Sequence, residues 1–293
     1  MSVISAKTVK ELRDLTGLGM MECKNALKEA NGDLSEAEKI LRIRSGSKAT
    51  KVAGRIAAEG LIATSLNEDC KAGAMIEVNC ETDFVAKDVS FKTFVDTLAS
   101  IALRSNQENP EVLGNSQINN ESVESSRQGL VMKLGENITL RRISILKAKG
   151  KLSSYLHGGR IGVLVDLEGG DQELGKDIAM HIAAMRPLAV SEEQVPTQIL
   201  EKERKIAEGR AVDSGKSIEI VKKIVEGGVR KFLAEVTLVG QKFVKNDKQT
   251  VGQVLKSRDA VVHGFEVFEV GQGLEKKSND FVAEVEAQVS KAQ

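Results

Sequence analysis

The chain has 293 residues, enough for two or more cores at about 100–200 residues each. Its 42 basic residues balance its 42 acidic ones, and only 3% of residues are aromatic, with no Trp. That composition argues against a nucleic-acid binder, which needs a basic face or stacking platforms.

Residues 5–44 read as three short helices. Val9, Leu12 and Thr16 recur at helical spacing, as do Cys23, Ala26, Leu27 and Ala30, then Leu34, Ala37, Ile40 and Leu41. Gly17 and Gly19 separate the first two helices. Asn31-Gly32 ends the second, and Asp33 caps the third with Glu36 three residues on. A bundle of about 40 residues is marginal without a neighbour. The Ser/Gly/Lys stretch at 45–55 reads as a hinge, its Lys48, Lys51 and Arg55 either solvated or contacting a polyanion.

Leu61–Leu66 and Ala74–Cys80 are β-rich runs flanking a polar turn. Phe91, Phe94, Val95, Leu98, Ile101 and Ala102 mark a helix, followed by a polar loop around Pro110, a shorter helix and a strand at 138–146. A second strand pair, Ser153–Leu156 and Ile161–Leu167, precedes a helix carrying Leu174, Ile178, Ile182 and Met185. Strand–strand–helix thus occurs twice, which suggests two related α+β halves. Pro196 opens a charged helix with Ile199, Leu200, Ile206 and Ala207 on one side. Beyond Gly215, Ile220, Val221, Ile224, Val225, Val229 and Phe232 form a second stripe. The pair reads as a helical hairpin inserted in the core and in need of a partner. A strand at 261–270 and a helix from Asp280 complete the chain.

Catalytic equipment is missing. His157, His181 and His263 lie far apart without HExxH-type spacing, and His181 falls near the apolar stripe of its helix, as a core histidine would. There is no GxSxG elbow, no phosphate-binding P-loop and no workable set of metal ligands. Gly17-Leu18-Gly19 and Gly271-Gln272-Gly273 are fragments of a dinucleotide turn without its third glycine. Cys23, Cys70 and Cys80 are odd in number and form no CxxC pair, as expected of reduced intracellular thiols. The start of the chain is charged, with no apolar leader, and no run approaches the roughly 18 apolar residues of a membrane span. A soluble cytoplasmic protein is expected.

Two segments are far more specific: Leu12-Arg13-Asp14-Leu15-Thr16-Gly17-Leu18-Gly19-Met20-Met21-Glu22-Cys23-Lys24-Asn25-Ala26-Leu27 and Glu77-Val78-Asn79-Cys80-Glu81-Thr82-Asp83-Phe84-Val85-Ala86-Lys87. Shorter matches follow at Lys133-Leu134-Gly135-Glu136-Asn137, at 155–163, at His181-Ile182-Ala183-Ala184 and at Thr250-Val251-Gly252-Gln253. In these motifs and their order the chain resembles the elongation factor Ts family over essentially its whole length.

The resemblance implies an α+β fold with antiparallel sheets. It divides the chain into a three-helix module similar to ubiquitin-associated domains with its linker (1–54) and a core N-subdomain (55–147). A core C-subdomain (148–189 and 239–273) is interrupted by the hairpin, of dimerisation or coiled-coil type (190–238), and a C-terminal helical module (274–293) follows. The implied function is guanine nucleotide exchange on elongation factor Tu, by protein–protein binding, with no catalytic residue, cofactor or metal of its own. Thr82, Asp83, Phe84 and Val85 would form a wedge that dislodges the partner's Mg²⁺. Arg13, Met20, Met21 and Lys24 would contact the partner's nucleotide-binding domain. Leu134, Gly135, His157, Val244 and Val289 would make further contacts. The complex would be 1:1, or 2:2 if the hairpin joins two factors, with neither nucleic acid nor membrane involved.

Residue chemistry leaves alternatives. Met20-Met21, after a glycine break, suits an adaptable surface or a core pair. Thr82-Asp83 suits a helix cap as well as an interface, and Phe84 suits a core as well as an interface anchor. A ubiquitin-type adaptor would leave the Thr82–Lys87 motif and the remaining motifs unexplained, and the missing catalytic constellation disfavours an α+β enzyme with an unrecognised site.

Overall fold

The computed structural model describes residues 4–118, 121–212 and 218–274; the expected helix from Asp280, Val289 and the break at Gly215 lie outside them. The three N-terminal helices form as their stripes predict: α1 (Ala6–Thr16), α2 (Met20–Glu29) and α3 (Leu34–Val52). Gly17 terminates α1 in the left-handed region, φ 66°, where a side chain would be strained. Asp33 Oδ1 accepts the Glu36 N–H at 2.8 Å and caps α3.

The first core half contains β1 (Glu59–Leu66), β2 (Ala72–Cys80), α4 (Asp83–Lys87), α5 (Val89–Ser105), α6 (Pro110–Gly114), the small hairpin β3 (Gln117–Ile118) and β4 (Glu121–Ser122), α7 (Val123–Leu134) and β5 (Thr139–Lys147). Its antiparallel sheet runs β1-β2-β5. The apolar stripe of α5 is buried against it, with Phe91 and Leu98 at 0% exposure. Burying each of those two side chains contributes about 1.5–3 kcal/mol. The segment around Pro110, expected as a loop, holds α6. Asn109 Oδ1 caps it through the Glu111 and Val112 N–H groups at 2.8 and 3.2 Å, Pro110 takes the first helical position, and Leu113 is fully buried.

Residues 45–52, expected as part of a hinge, are the last two turns of α3. Packing overrides their poor helix propensity. Ser45, Ala49 and Val52 are buried, Ser45 Oγ bonds the Leu41 carbonyl at 2.9 Å, and Lys48 Nζ donates to the Met132 carbonyl on α7 at 2.8 Å. Met132 itself joins the apolar cluster of the three-helix module. The small bundle therefore gains its missing core from α7.

The second half contains β6 (Lys151–His157), β7 (Ile161–Glu168), α8 (Gln172–Met185), a 3-10 turn (Glu192–Gln194), α9 (Thr197–Val212), α10 (Ile218–Val236), β8 (Lys242–Phe243), β9 (Asn246–Thr250), α11 (Val251–Ser257) and β10 (Val261–Glu269). Its antiparallel sheet runs β6-β7-β10. Both halves share one plan: two consecutive strands, a covering helix, and a late strand that returns to pair with the second. The helical hairpin is α9 and α10, packed on each other. It leaves and re-enters the core side by side, where Ala189 and Thr237 form a parallel bridge.

The sheets lie against one another, with α5 and α8 on the outer faces. Met75 and Ile62 of the first sheet pack with Leu164 and Phe268 of the second. Central strands β2 and β7 are covered on both faces, which is why their sequences read as nearly continuous apolar runs. Glu77, fully buried at this junction, accepts from Arg142 Nε at 2.6 Å, the Gly271 N–H at 2.8 Å, Arg141 Nη1 at 2.9 Å and Asn79 Nδ2 at 3.1 Å. Burial pushes its carboxyl up, and the Gly271 N–H and two guanidinium groups outweigh that, leaving it below the usual carboxylate range.

Candidate partner-binding surface

Residues 81–85 turn the end of β2 into the short helix α4. Thr82 is its N-cap, Oγ1 accepting the Val85 N–H at 3.4 Å. Asp83 pairs with Lys87 one turn on at 2.6 Å, and the Lys87 ammonium holds the Asp83 carboxyl below its ordinary range. Phe84, the second residue of α4, stands 81% exposed, whereas Val85 is buried in the core of the first half. Of the four predicted wedge residues, Val85 is therefore the root that seats the turn, and Phe84 is the projecting element. The groove beside Phe84 is lined by Arg55, Ile56, Glu59 and Arg160, with Arg160 paired to Glu59.

The motif at 133–137, some fifty residues downstream, packs behind this turn. Gly135 caps α7 in the left-handed region at φ 81°, and Leu134 is half-buried against the first core. Glu136 accepts Thr82 Oγ1–H at 2.6 Å and the Thr82 and Glu81 N–H groups at 3.0 and 3.1 Å. Asn137 Nδ2 donates to the Ala53 and Arg55 carbonyls at the end of the N-terminal module. Sequence reasoning named Leu134 and Gly135 and passed over Glu136, Arg160 and the half-exposed Ile56. For Glu136 the signal was present, since it lies inside the same motif.

At the α1–α2 corner, Arg13 and Lys24 are exposed, and Met20 and Met21 are 56% and 63% exposed, so the Met pair belongs to the surface. Leu15, in the same motif, is also exposed and was not singled out. His157 is exposed at the end of β6, its Nδ1 3.1 Å from the Tyr155 hydroxyl. Val244 projects from the β8–β9 turn. His181 is fully buried, as expected of a core histidine, and burial lowers its basicity. Its Nδ1 accepts the Val244 N–H at 3.2 Å, which leaves the proton on Nε2 to donate to Gln241 Oε1 at 3.0 Å. His181 thereby holds the turn that presents Val244. The Phe84 turn, residues 134–137 and the Arg160 turn form one continuous region. The α1–α2 corner and Val244 lie on separate elements.

Among the described residues, no group of three or more His, Cys, Asp or Glu side chains could hold a metal, and no helix is long and apolar enough to cross a membrane. Cys80 is buried, its thiol pushed up to about 12 by desolvation and by Glu136 and Glu59, and its Sγ–H points to the Thr82 carbonyl at 3.1 Å.

The family model described as Elongation factor TS matches residues 81–272, from the Phe84 turn to the end of β10. The chain belongs to the elongation factor Ts family. Full-length relatives bearing that name extend the match over the N-terminal module. The one from Nitrosomonas eutropha is 55% identical over 293 residues, covering all of both chains. Those from Nitrosospira multiformis and Burkholderia mallei are 54% and 49% identical, covering all of this chain and 98% and 99% of theirs. The exposed aromatic of α4 is the part whose geometry calls for explanation, because Phe84 does not pack in the chain's own core.

Proposed function

We propose that this chain is a guanine nucleotide exchange factor that binds elongation factor Tu in its GDP form, displaces the bound Mg²⁺ and so promotes GDP release. The observation that carries this reading is Phe84, 81% exposed on a short helix seated by Val85. An aromatic ring held in water forgoes its burial free energy, and such rings anchor interfaces. Mg²⁺ requires near-ideal octahedral coordination, so small displacements of its ligands weaken it. A ring inserted into an apolar slot of the partner supplies free energy for that displacement. The work is done by binding, with no bond made or broken by this chain.

The division of labour follows the segments. The 1–54 module grips the nucleotide-binding domain with Arg13, Met20, Met21 and Lys24, flexible thioethers beside two cations. The 55–147 half carries the wedge, Thr82 to Val85, braced by Leu134 and Gly135. The 148–189 and 239–273 half adds His157 and Val244, and the 274–293 segment an auxiliary contact at Val289. Ile206, Ile220 and Ile224 are exposed on the 190–238 hairpin, which supports a further contact there, to the partner or to a second factor. Linkage requires that a factor which weakens GDP binding is itself bound more weakly when nucleotide is present. GTP in excess then displaces the factor.

The test is release of a fluorescent GDP analogue from purified elongation factor Tu. Addition of this chain at micromolar concentration accelerates release many-fold; an unchanged rate refutes the proposal.

A further inference from the structure

We infer that Glu136 is the positioning residue of the Phe84 wedge, acting through the hydroxyl of Thr82 and touching no partner group itself. The inference rests on the exchange reading above. Three donors converge on its carboxylate: Thr82 Oγ1–H at 2.6 Å on one oxygen, and the Thr82 and Glu81 N–H groups at 3.0 and 3.1 Å on the other. Hydrogen bonds to an ionised acceptor are shorter and stronger than neutral ones. The carboxylate thus turns its acceptor capacity inward, toward the backbone that leads into α4.

The consequence is directional. Because Thr82 donates its hydroxyl proton to Glu136, its lone pairs are aimed at the Val85 N–H it caps. The start of α4 is fixed by that cap, and Phe84 is its second residue. Glu136 is in turn held from behind. Gly135 turns the chain in the left-handed region, the Asn137 N–H donates to Glu81 Oε1 at 2.7 Å, and Asn137 Nδ2 donates to the Arg55 carbonyl at 2.8 Å. A five-residue helix has too little backbone bonding to hold a projecting ring by itself. The clamp supplies what the helix lacks, and a wedge must be rigid to transmit displacement to a metal site.

Reach and charge can be separated experimentally in the full-length chain. Glu136→Gln keeps the length but only one acceptor oxygen, its NH2 facing donors in place of the other; Glu136→Asp keeps the charge and both oxygens and cannot span all three donors. The measurements are the saturated rate and half-saturating concentration for release of the fluorescent GDP analogue from elongation factor Tu. They are accompanied by hydrogen exchange at the Glu81 and Thr82 amides of the free factor. Glu136→Ala and Glu136→Asp lower the saturated rate by about tenfold to a hundredfold, the scale of a misplacement near 1 Å, with a smaller change in half-saturation. Both also speed exchange at the two amides, and Glu136→Gln, with one acceptor oxygen for two sets of donors, falls between them and the unaltered chain.

Phe84→Ala combined with Glu136→Ala is no slower than Phe84→Ala alone, because the two act as one unit. If Glu136→Ala does not fold, Glu136→Asp carries the same test. A normal saturated rate for Glu136→Asp, or a lowered saturated rate in Glu136→Ala with unchanged hydrogen exchange at the two amides, overturns the inference, since the carboxylate would then act other than by holding the turn. If Phe84→Ala is itself normal, the wedge reading fails instead, and the single variant tells the two failures apart.

Discussion

Replacing Phe84 by Ala separates a projecting wedge from a core residue. With 81% of the residue exposed, about 120–200 Å² of its ring surface is available to a partner, from a total near 150–250 Å². At about 25 cal/mol/Å² this amounts to ~3–5 kcal/mol as an upper limit. Ordering and imperfect fit reduce it, and roughly 2 kcal/mol remaining corresponds to about a 30-fold effect. On the proposed exchange reading that free energy is realised where the partner's metal site distorts, so its loss lowers the exchange rate even at saturating factor. The free protein loses almost nothing, because an exposed ring leaves no cavity: about 0.5 kcal/mol at most, against ~3–5 kcal/mol for a core Phe. Thermal unfolding of the free variant paired with saturated GDP release measures both quantities. A melting temperature lowered by about ten degrees with normal saturated exchange would show Phe84 to be a core residue and refute the reasoning.

Glu77→Ala leaves Arg141 and Arg142 without their shared buried carboxylate and unpins Gly271, so denaturant unfolding should show a loss near 3 kcal/mol; a change below about 0.5 kcal/mol would mean the junction does not depend on it. His181 is neutral in the folded chain, because burial lowers its basicity below the ordinary value. As pH falls through about 6.5 the unfolded chain takes up a proton that the native chain refuses, so stability falls, by at most about 1.4 kcal/mol per pH unit from this group. His181→Gln should flatten that slope below about pH 6.5, and an identical slope in both chains would contradict it. Native thiol labelling at pH 8 should modify Cys70 alone, since Cys23 and Cys80 are buried and the Cys80 thiol is pushed up to about 12. Rapid loss of the Cys80 thiol from folded protein would contradict the buried geometry.

Much of the architecture was legible locally. The three N-terminal helices, the stripe of α5, the paired strands at 59–80 and 151–168 and the helical hairpin are all written in the spacing of neighbouring residues. Periodicity and capping act over a few residues, so the chain carries them without knowledge of its fold. The motifs at 12–27 and 77–87 likewise pointed to the family, and both methionines proved exposed as a surface reading requires.

What the sequence left open depends on contacts between distant segments. Ser, Gly and Lys at 45–52 favour a hinge by composition, and only the bed offered by α7 makes them helical. Thr-Asp-Phe-Val at a strand end could place either Phe84 or Val85 inward. Where β2 ends relative to α5 sends Val85 into the core and Phe84 out. The return of β5 to β2 and of β10 to β7 closes long loops, whose cost only the assembled core repays. Glu136 met Thr82 for the same reason: a carboxylate fifty residues away becomes a clamp only when Gly135 turns it back against the end of β2, a juxtaposition no local pattern encodes.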